Sequence, residues 1–229
     1  GCVAMGTATT ATADSFTRAW VSVERTGKIS KALKNTWQNS PLYPELVAES
    51  TAKRLGSISA QDLETLMAKY PDSAAIANLR WKKLFRLGRA SWHKDFLFLY
   101  QPTDSVELNC YKLEARYRLK QDKNADHRHA VRLWTHGKSQ PKACDALFSL
   151  IQKRGLINKE VRLRRIDNAL EKHQLQLASW LAKPLDQSVT KHINAWAQAR
   201  RQPAAFLTKQ AAQFPEWVDM AASRLASRN

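Results

Sequence analysis

The chain has 229 residues, 44% of them hydrophobic and 25% charged, enough to bury a core without a metal or disulfide staple. Its 7 Gly and 8 Pro are too few for a β-rich fold with many tight turns, and alternating Val, Ile and Thr runs are missing. Against 20 Asp and Glu stand 37 Lys and Arg, a formal charge of +17; this favours anionic company such as nucleic acid, an acidic membrane surface or a carboxylate-rich polymer.

Residues 1–13 are uncharged and mostly small, and end in Ala11-Thr12-Ala13 before Asp14. The segment reads as the end of a secretory signal at an A-x-A cleavage site, or as a leftover tag. If it is instead the end of a lipoprotein signal, Cys2 is the lipid-bearing residue. No run of 18 apolar residues occurs, so no membrane span is predicted. Residues 14–229 read as one helical domain.

From Asp14 onward, one short amphipathic helix follows another. Phe16, Trp20 and Val23 share a face of the first, which ends near Gly27; Ile29, Leu33 and Trp37 repeat the pattern until Ser40-Pro41 breaks it. Leu42 to Leu55 stops at Gly56. Ser59 with Asp62 resembles a capping box and opens a helix through Leu63, Leu66 and Met67 to Tyr70-Pro71. Ser73 to Leu87, Ser91 to Leu99, Ser105 to Lys120, Ala125 to His136, Lys142 to Lys153 and Asn158 to Lys172 continue the series. Leu175 to Ala182, Leu185 to Arg201, Pro203 to Gln213 and Glu216 to Ser227 complete it.

The fold class is therefore all-α, with about 13 short helices. Each helix carries one apolar stripe rather than an apolar surface all round. The 8 Trp are spread along the whole chain, as local cores in successive layers require. No strict period is present, so the expected architecture is an irregular solenoid rather than a regular repeat array.

No Gly-rich phosphate loop, nucleophile elbow or paired CxxC occurs, and no metal or cofactor is expected. His127 and His129 lie two apart, on different faces of a helix, and read as exposed. Glu49-Ser50 reads as a solvated dipeptide. Three cationic groupings remain as candidate anion-binding residues: Lys82, Arg86 and Arg89; Arg116, Lys120 and Lys123; and Arg162 with Arg165. Spacing alone leaves Cys110 and Cys144 open to two readings, buried hydrophobes in a reducing compartment or a bridge in an exported protein.

Leu133-Trp134-Thr135-His136-Gly137-Lys138-Ser139-Gln140-Pro141-Lys142-Ala143-Cys144-Asp145-Ala146-Leu147-Phe148 resembles a stretch of the soluble lytic murein transglycosylases. A Leu-Trp helix end, a Gly-Lys-Ser-x-Pro turn and Cys-Asp-x-Leu-Phe occur together in that family. Pro41-Leu42-Tyr43-Pro44 resembles a second family motif. The resemblance covers roughly residues 41 to 155; Glu45 and Ile151 depart from it where aromatic residues are common. It implies a structural disulfide between Cys110 and Cys144, and a right-handed, U-shaped superhelix. In the turn, Gly137 is expected to take positive φ after its helix ends.

The resemblance further implies a periplasmic scaffold for an enzyme that cleaves the β-1,4 bond between N-acetylmuramic acid and N-acetylglucosamine, leaving 1,6-anhydromuramoyl ends. The family's catalytic motifs Gly-Leu-Met-Gln and Ala-Tyr-Asn-Ala-Gly do not occur in this sequence, so no catalytic residue is assigned. The expected partners are peptidoglycan, held weakly by the basic faces, and the chain's own catalytic domain. The rival is a basic helical repeat that binds nucleic acid or partner proteins. Base stacking needs exposed aromatic rings, whereas the Trp residues fall mostly on apolar stripes.

Overall fold

The computed structural model describes the backbone of residues 4–227 and the side chains of residues 12–227. Among these residues are fourteen α-helices and two short 3-10 turns, with no strand. The helices are α1 (Ala4–Thr26), α2 (Lys31–Trp37), α3 (Tyr43–Lys53), α4 (Ala60–Lys69), α5 (Ala74–Arg89), α6 (His93–Leu99) and α7 (Val106–Arg118). Then follow α8 (Asn124–Trp134), α9 (Asp145–Lys153), α10 (Lys159–Glu171), α11 (Leu175–Ala182), α12 (Gln187–Arg201), α13 (Pro203–Lys209) and α14 (Val218–Ala226). Cys2, and with it the lipid-attachment reading, lies outside the described residues. The Ala- and Thr-rich stretch before Asp14 is helical from Ala4.

The helix starts follow from side-chain chemistry. Ser30, Ser59, Ser73, Ser105 and Asn158 each accept a hydrogen bond from the backbone N–H three residues on, satisfying one of the donors a first turn leaves free. The Ser59 hydroxyl also donates to Asp62 Oδ2 at 2.7 Å. Three of the described helix ends close in left-handed turns at residues other than glycine. After α5, α7 and α10 the chain turns through Ser91, Lys120 and His173, all at positive φ. Each closes the paired bonds of a Schellman turn, such as Trp92 N–H to the Leu87 carbonyl and Ser91 N–H to that of Gly88. Glycine usually occupies that position, yet these helices end within two residues of the expected Leu87, Lys120 and Lys172.

The helices group into two compact units, residues 1–103 and 104–229. In the first, α3 packs on α1 and α5, while α4 and α6 pack on α5 and on each other. Ala19, Val23, Trp37, Tyr43 and Leu46 form one of its cores, which explains Tyr43 of the Pro-Leu-Tyr-Pro motif as a buried anchor. In the second unit α7 packs on α8 and α9, and α10 through α14 pack in chain order. Packing between neighbours in sequence is the solenoid habit.

Cys110 on α7 and Cys144, just before α9, are fully buried and joined by a disulfide with sulfurs 2.00 Å apart. The turn leading to Cys144 holds a correction. Gly137 does not take positive φ; only Gly27 and Gly155 do among the described glycines. It is buried where the turn meets α10, and a Cβ there would stand 2.2 Å from the Asn168 carbonyl oxygen. Close approach, not backbone conformation, demands the glycine. The Asn168 side chain completes the joint by donating to the Thr135 carbonyl at 2.7 Å.

Candidate functional site

The three predicted cationic groupings meet different fates. On α5, Lys82, Arg86 and Arg89 are exposed along one side. Arg86 lies so close over Gly56 that a Cβ there would be 2.8 Å from its Nη2. The residue that sequence reasoning missed is the next one, Lys83, only 3% exposed. Its Nζ donates to the carbonyls of Leu55 at 2.9 Å and Ile58 at 2.7 Å, tying the turn after α3 to α5. Burial, and then the neighbouring Arg86, lowers its pKa. With Trp92, Lys83, Arg86 and Arg89 line a shallow groove of about 440 Å³.

The second grouping is not a stripe. The helix ends at Arg118 and Lys120 sits in the left-handed turn beyond it, while Lys123 precedes α8. Arg116 Nη1 donates to both oxygens of Asp126, at 3.0 and 2.9 Å. Lys112 Nζ reaches the same carboxylate at 3.1 Å, and the Lys123 N–H at 3.0 Å. Burial pushes the Asp126 carboxyl up, but the hydrogen bonds from Arg116 and Lys112 outweigh it and hold the pKa below the usual value. Arg116 thus already has a carboxylate, and this knot joins α7 to α8.

His127 and His129 are half-buried rather than exposed. His127 Nε2 lies 2.8 Å from Asp122 Oδ2, which Arg154 also contacts at 2.6 Å, and the imidazole stacks on Tyr117. Burial, and then the Asp122 charge, pushes the Tyr117 hydroxyl up to about 12. Among the described residues no group of three or more His, Cys, Asp or Glu is placed to hold a metal. Ser50 of the Glu-Ser dipeptide is buried, not solvated, and donates to the Gly27 carbonyl at 2.8 Å.

The third grouping leads to a cleft of about 940 Å³ within the second unit. Trp134 at the end of α8 and Phe148 on α9 form its apolar floor with Arg165 of α10. Gln140 from the disulfide turn, Gln152 from α9, Gln174 just before α11 and Gln176 within it give it polar walls. Trp180 of α11 stands at its edge, 58% exposed. Asp145 and Lys153 add one charge of each sign.

Arg165 is only 6% exposed. Its guanidinium carbon lies 4.6 Å from the Trp134 ring centroid and 6.0 Å from that of Phe148. Its Nε is sealed from solvent and has no hydrogen-bond partner among the described residues. Burial, and then Arg162, lowers its pKa to about 10, so it stays charged at neutral pH. Arg162, half-buried, also lies against Trp134, at 5.6 Å. The sequence pointed to the arginine pair. It did not reveal the rings that hold them, which come from the two preceding helices, α8 and α9, nor that two of the eight Trp, Trp92 at 56% and Trp180 at 58%, lie outside the cores.

No family model matches the sequence, and no curated protein does. Solved structures do. An inactive mutant of the lytic transglycosylase Slt from Pseudomonas aeruginosa matches 92% of this chain at 27% identity, with a TM-score of 0.74. The 70 kDa soluble lytic transglycosylase of Escherichia coli matches 94% at 22% identity, with a TM-score of 0.71. A 70-kDa soluble lytic transglycosylase in complex with bulgecin A matches 85% at 23% identity, with a TM-score of 0.67. The chain spans about a third of the length of each, 31 to 35%. It is similar to the soluble lytic transglycosylases in the all-helical, superhelical part of their fold.

Proposed function

We propose that this chain, which shares the superhelical fold of the soluble lytic transglycosylases, is the non-catalytic scaffold of a murein-cleaving enzyme and holds murein strands. It would act in the periplasm, supporting a catalytic domain that supplies the glycosidic chemistry. The observation that carries this reading is the fold likeness across nine-tenths of the chain to a lytic transglycosylase. The buried Cys110–Cys144 bridge suits an exported protein. No described helix is long and apolar enough to cross a membrane.

A second reading has one observation in its favour: Trp92 and Trp180 are exposed beside cations, as base stacking on a nucleic acid requires. Co-sedimentation of the chain with purified murein sacculi, run beside binding to single-stranded DNA across a salt series, separates the two. The murein reading expects the chain in the sacculus pellet, with weak DNA binding that salt abolishes. A chain left in the supernatant, with salt-resistant DNA binding, overturns it.

A further inference from the structure

We infer that the cleft in the second unit is a binding site for a carboxylate-bearing sugar, whose ring lies on Trp180 and whose carboxylate meets Arg165. A buried guanidinium with an unused donor is costly unless something satisfies it. Among the described residues, the Arg165 Nε finds no hydrogen-bond partner. Trp134 and Phe148 hold the group in place, so little side-chain freedom is lost when an anion arrives. Guanidinium is the side chain best matched to a planar carboxylate, through two parallel N–H donors.

The rest of the cleft describes what the carboxylate is attached to. Trp180 offers a flat apolar face at the edge, suited to the C–H side of a sugar ring. Gln140, Gln152, Gln174 and Gln176 can each donate and accept, which fits hydroxyl and acetamido groups. A polyphosphate fits poorly: the cations of the cleft are Arg165 and Lys153, and Asp145 opposes a dense row of negative charge. The cleft therefore suits a largely neutral glycan with isolated carboxylates.

In identifying that glycan as murein the inference rests on the function proposed above, but the site itself does not. In murein the carboxylate comes from one of two sources, the lactyl group of muramic acid freed of peptide, or the stem peptide. Titrations of the full chain with N-acetylmuramic acid, muramyl dipeptide and N,N′-diacetylchitobiose, followed by the indole N–H resonance of Trp180, test the site and distinguish the sources. The carboxylated probes should move that resonance and bind about tenfold more tightly than the neutral one, the worth of a charge-assisted bond. If N-acetylmuramic acid binds more tightly than the dipeptide, the lactyl group is the anion; the reverse order assigns the peptide.

Arg165→Met should erase the preference for carboxylated probes, and Trp180→Ala, on the surface and followed by titration calorimetry because it removes the reporting indole, should weaken all three. A Trp180 resonance that no probe moves, or a preference that survives Arg165→Met in a chain folded by circular dichroism, overturns the site. If the probes fail while sacculi still pellet the chain, the site is wrong and the murein scaffold stands. If the probes bind while sacculi do not, the site stands and its glycan is another acidic polymer.

Discussion

Each of the two units buries a long cationic side chain, and the surroundings answer the two charges in opposite ways. In the first unit, Lys83 is met by two backbone carbonyls that its Nζ reaches at 2.9 and 2.7 Å. Those carbonyls belong to the turn after α3, where helix geometry leaves acceptors without an amide partner. Lys83 therefore completes a structure. In the second unit Arg165 is held by two aromatic rings but its Nε has no acceptor. A satisfied buried cation is part of the frame, whereas an unsatisfied one lining a cleft is poised for something that arrives from outside. The comparison shows why a list of basic residues, taken alone, says little about binding.

The largest effect expected from breaking this contrast falls on the frame of the second unit. The Cys110–Cys144 bridge fixes α7 to the start of α9, one wall of the cleft. The paired Cys110→Ser and Cys144→Ser substitutions should cost about 4 kcal/mol in the chain-entropy account of a loop of this length. Hydrogen exchange should show the loss in α7 and α9, with α3 to α5 of the first unit protected as before. Equal loss in both units would mean that they do not differ in what holds them.

A smaller effect is expected from Lys83→Met, which keeps the apolar stem but removes the donor. Leaving the Leu55 and Ile58 carbonyls without their partner should cost about 3 kcal/mol, read from the midpoint of urea unfolding. Sugar binding in the other unit should not change. If the variant is as stable as the parent, Lys83 is not the structural counterpart of Arg165.

What could be read beforehand divides along physical lines. Serine and asparagine caps announced helix starts because the signal and its effect lie within one turn, as at Ser59 and Ser105. The ends of α5, α7 and α10 fall within two residues of the expected Leu87, Lys120 and Lys172, although the non-glycine residues Ser91, Lys120 and His173 take the left-handed turns that close them. Because α7 ends at Arg118, two residues before the expected Lys120, the predicted stripe of Arg116, Lys120 and Lys123 becomes a paired Arg116 and two residues off the helix. The cleft was legible only in part. Arg162 and Arg165 stand out as neighbours on one helix, but the rings around them converge through packing, which no local pattern encodes. Gly137 was singled out correctly for a wrong reason, since it makes room for the Asn168 carbonyl.

The smallest expected change in stability is the one that tests the comparison most directly. Arg165→Met removes a charge whose burial is a cost, and with it the cation–π contacts to Trp134 and Phe148, worth about 1–2 kcal/mol where desolvated. Methionine fills similar space, and its sulfur recovers part of the ring contact. Replacing buried charge by a well-fitting apolar side chain is often neutral or stabilising. These terms nearly cancel, so the urea midpoint should correspond to a change within about 1 kcal/mol of the parent, in either direction. Lys83→Met removes a charge too, yet it strands two carbonyls, which Arg165→Met does not. A loss of about 3 kcal/mol or more for Arg165→Met would mean that the frame depends on this guanidinium as it does on Lys83, and the distinction between a structural cation and a ligand-facing one would fail.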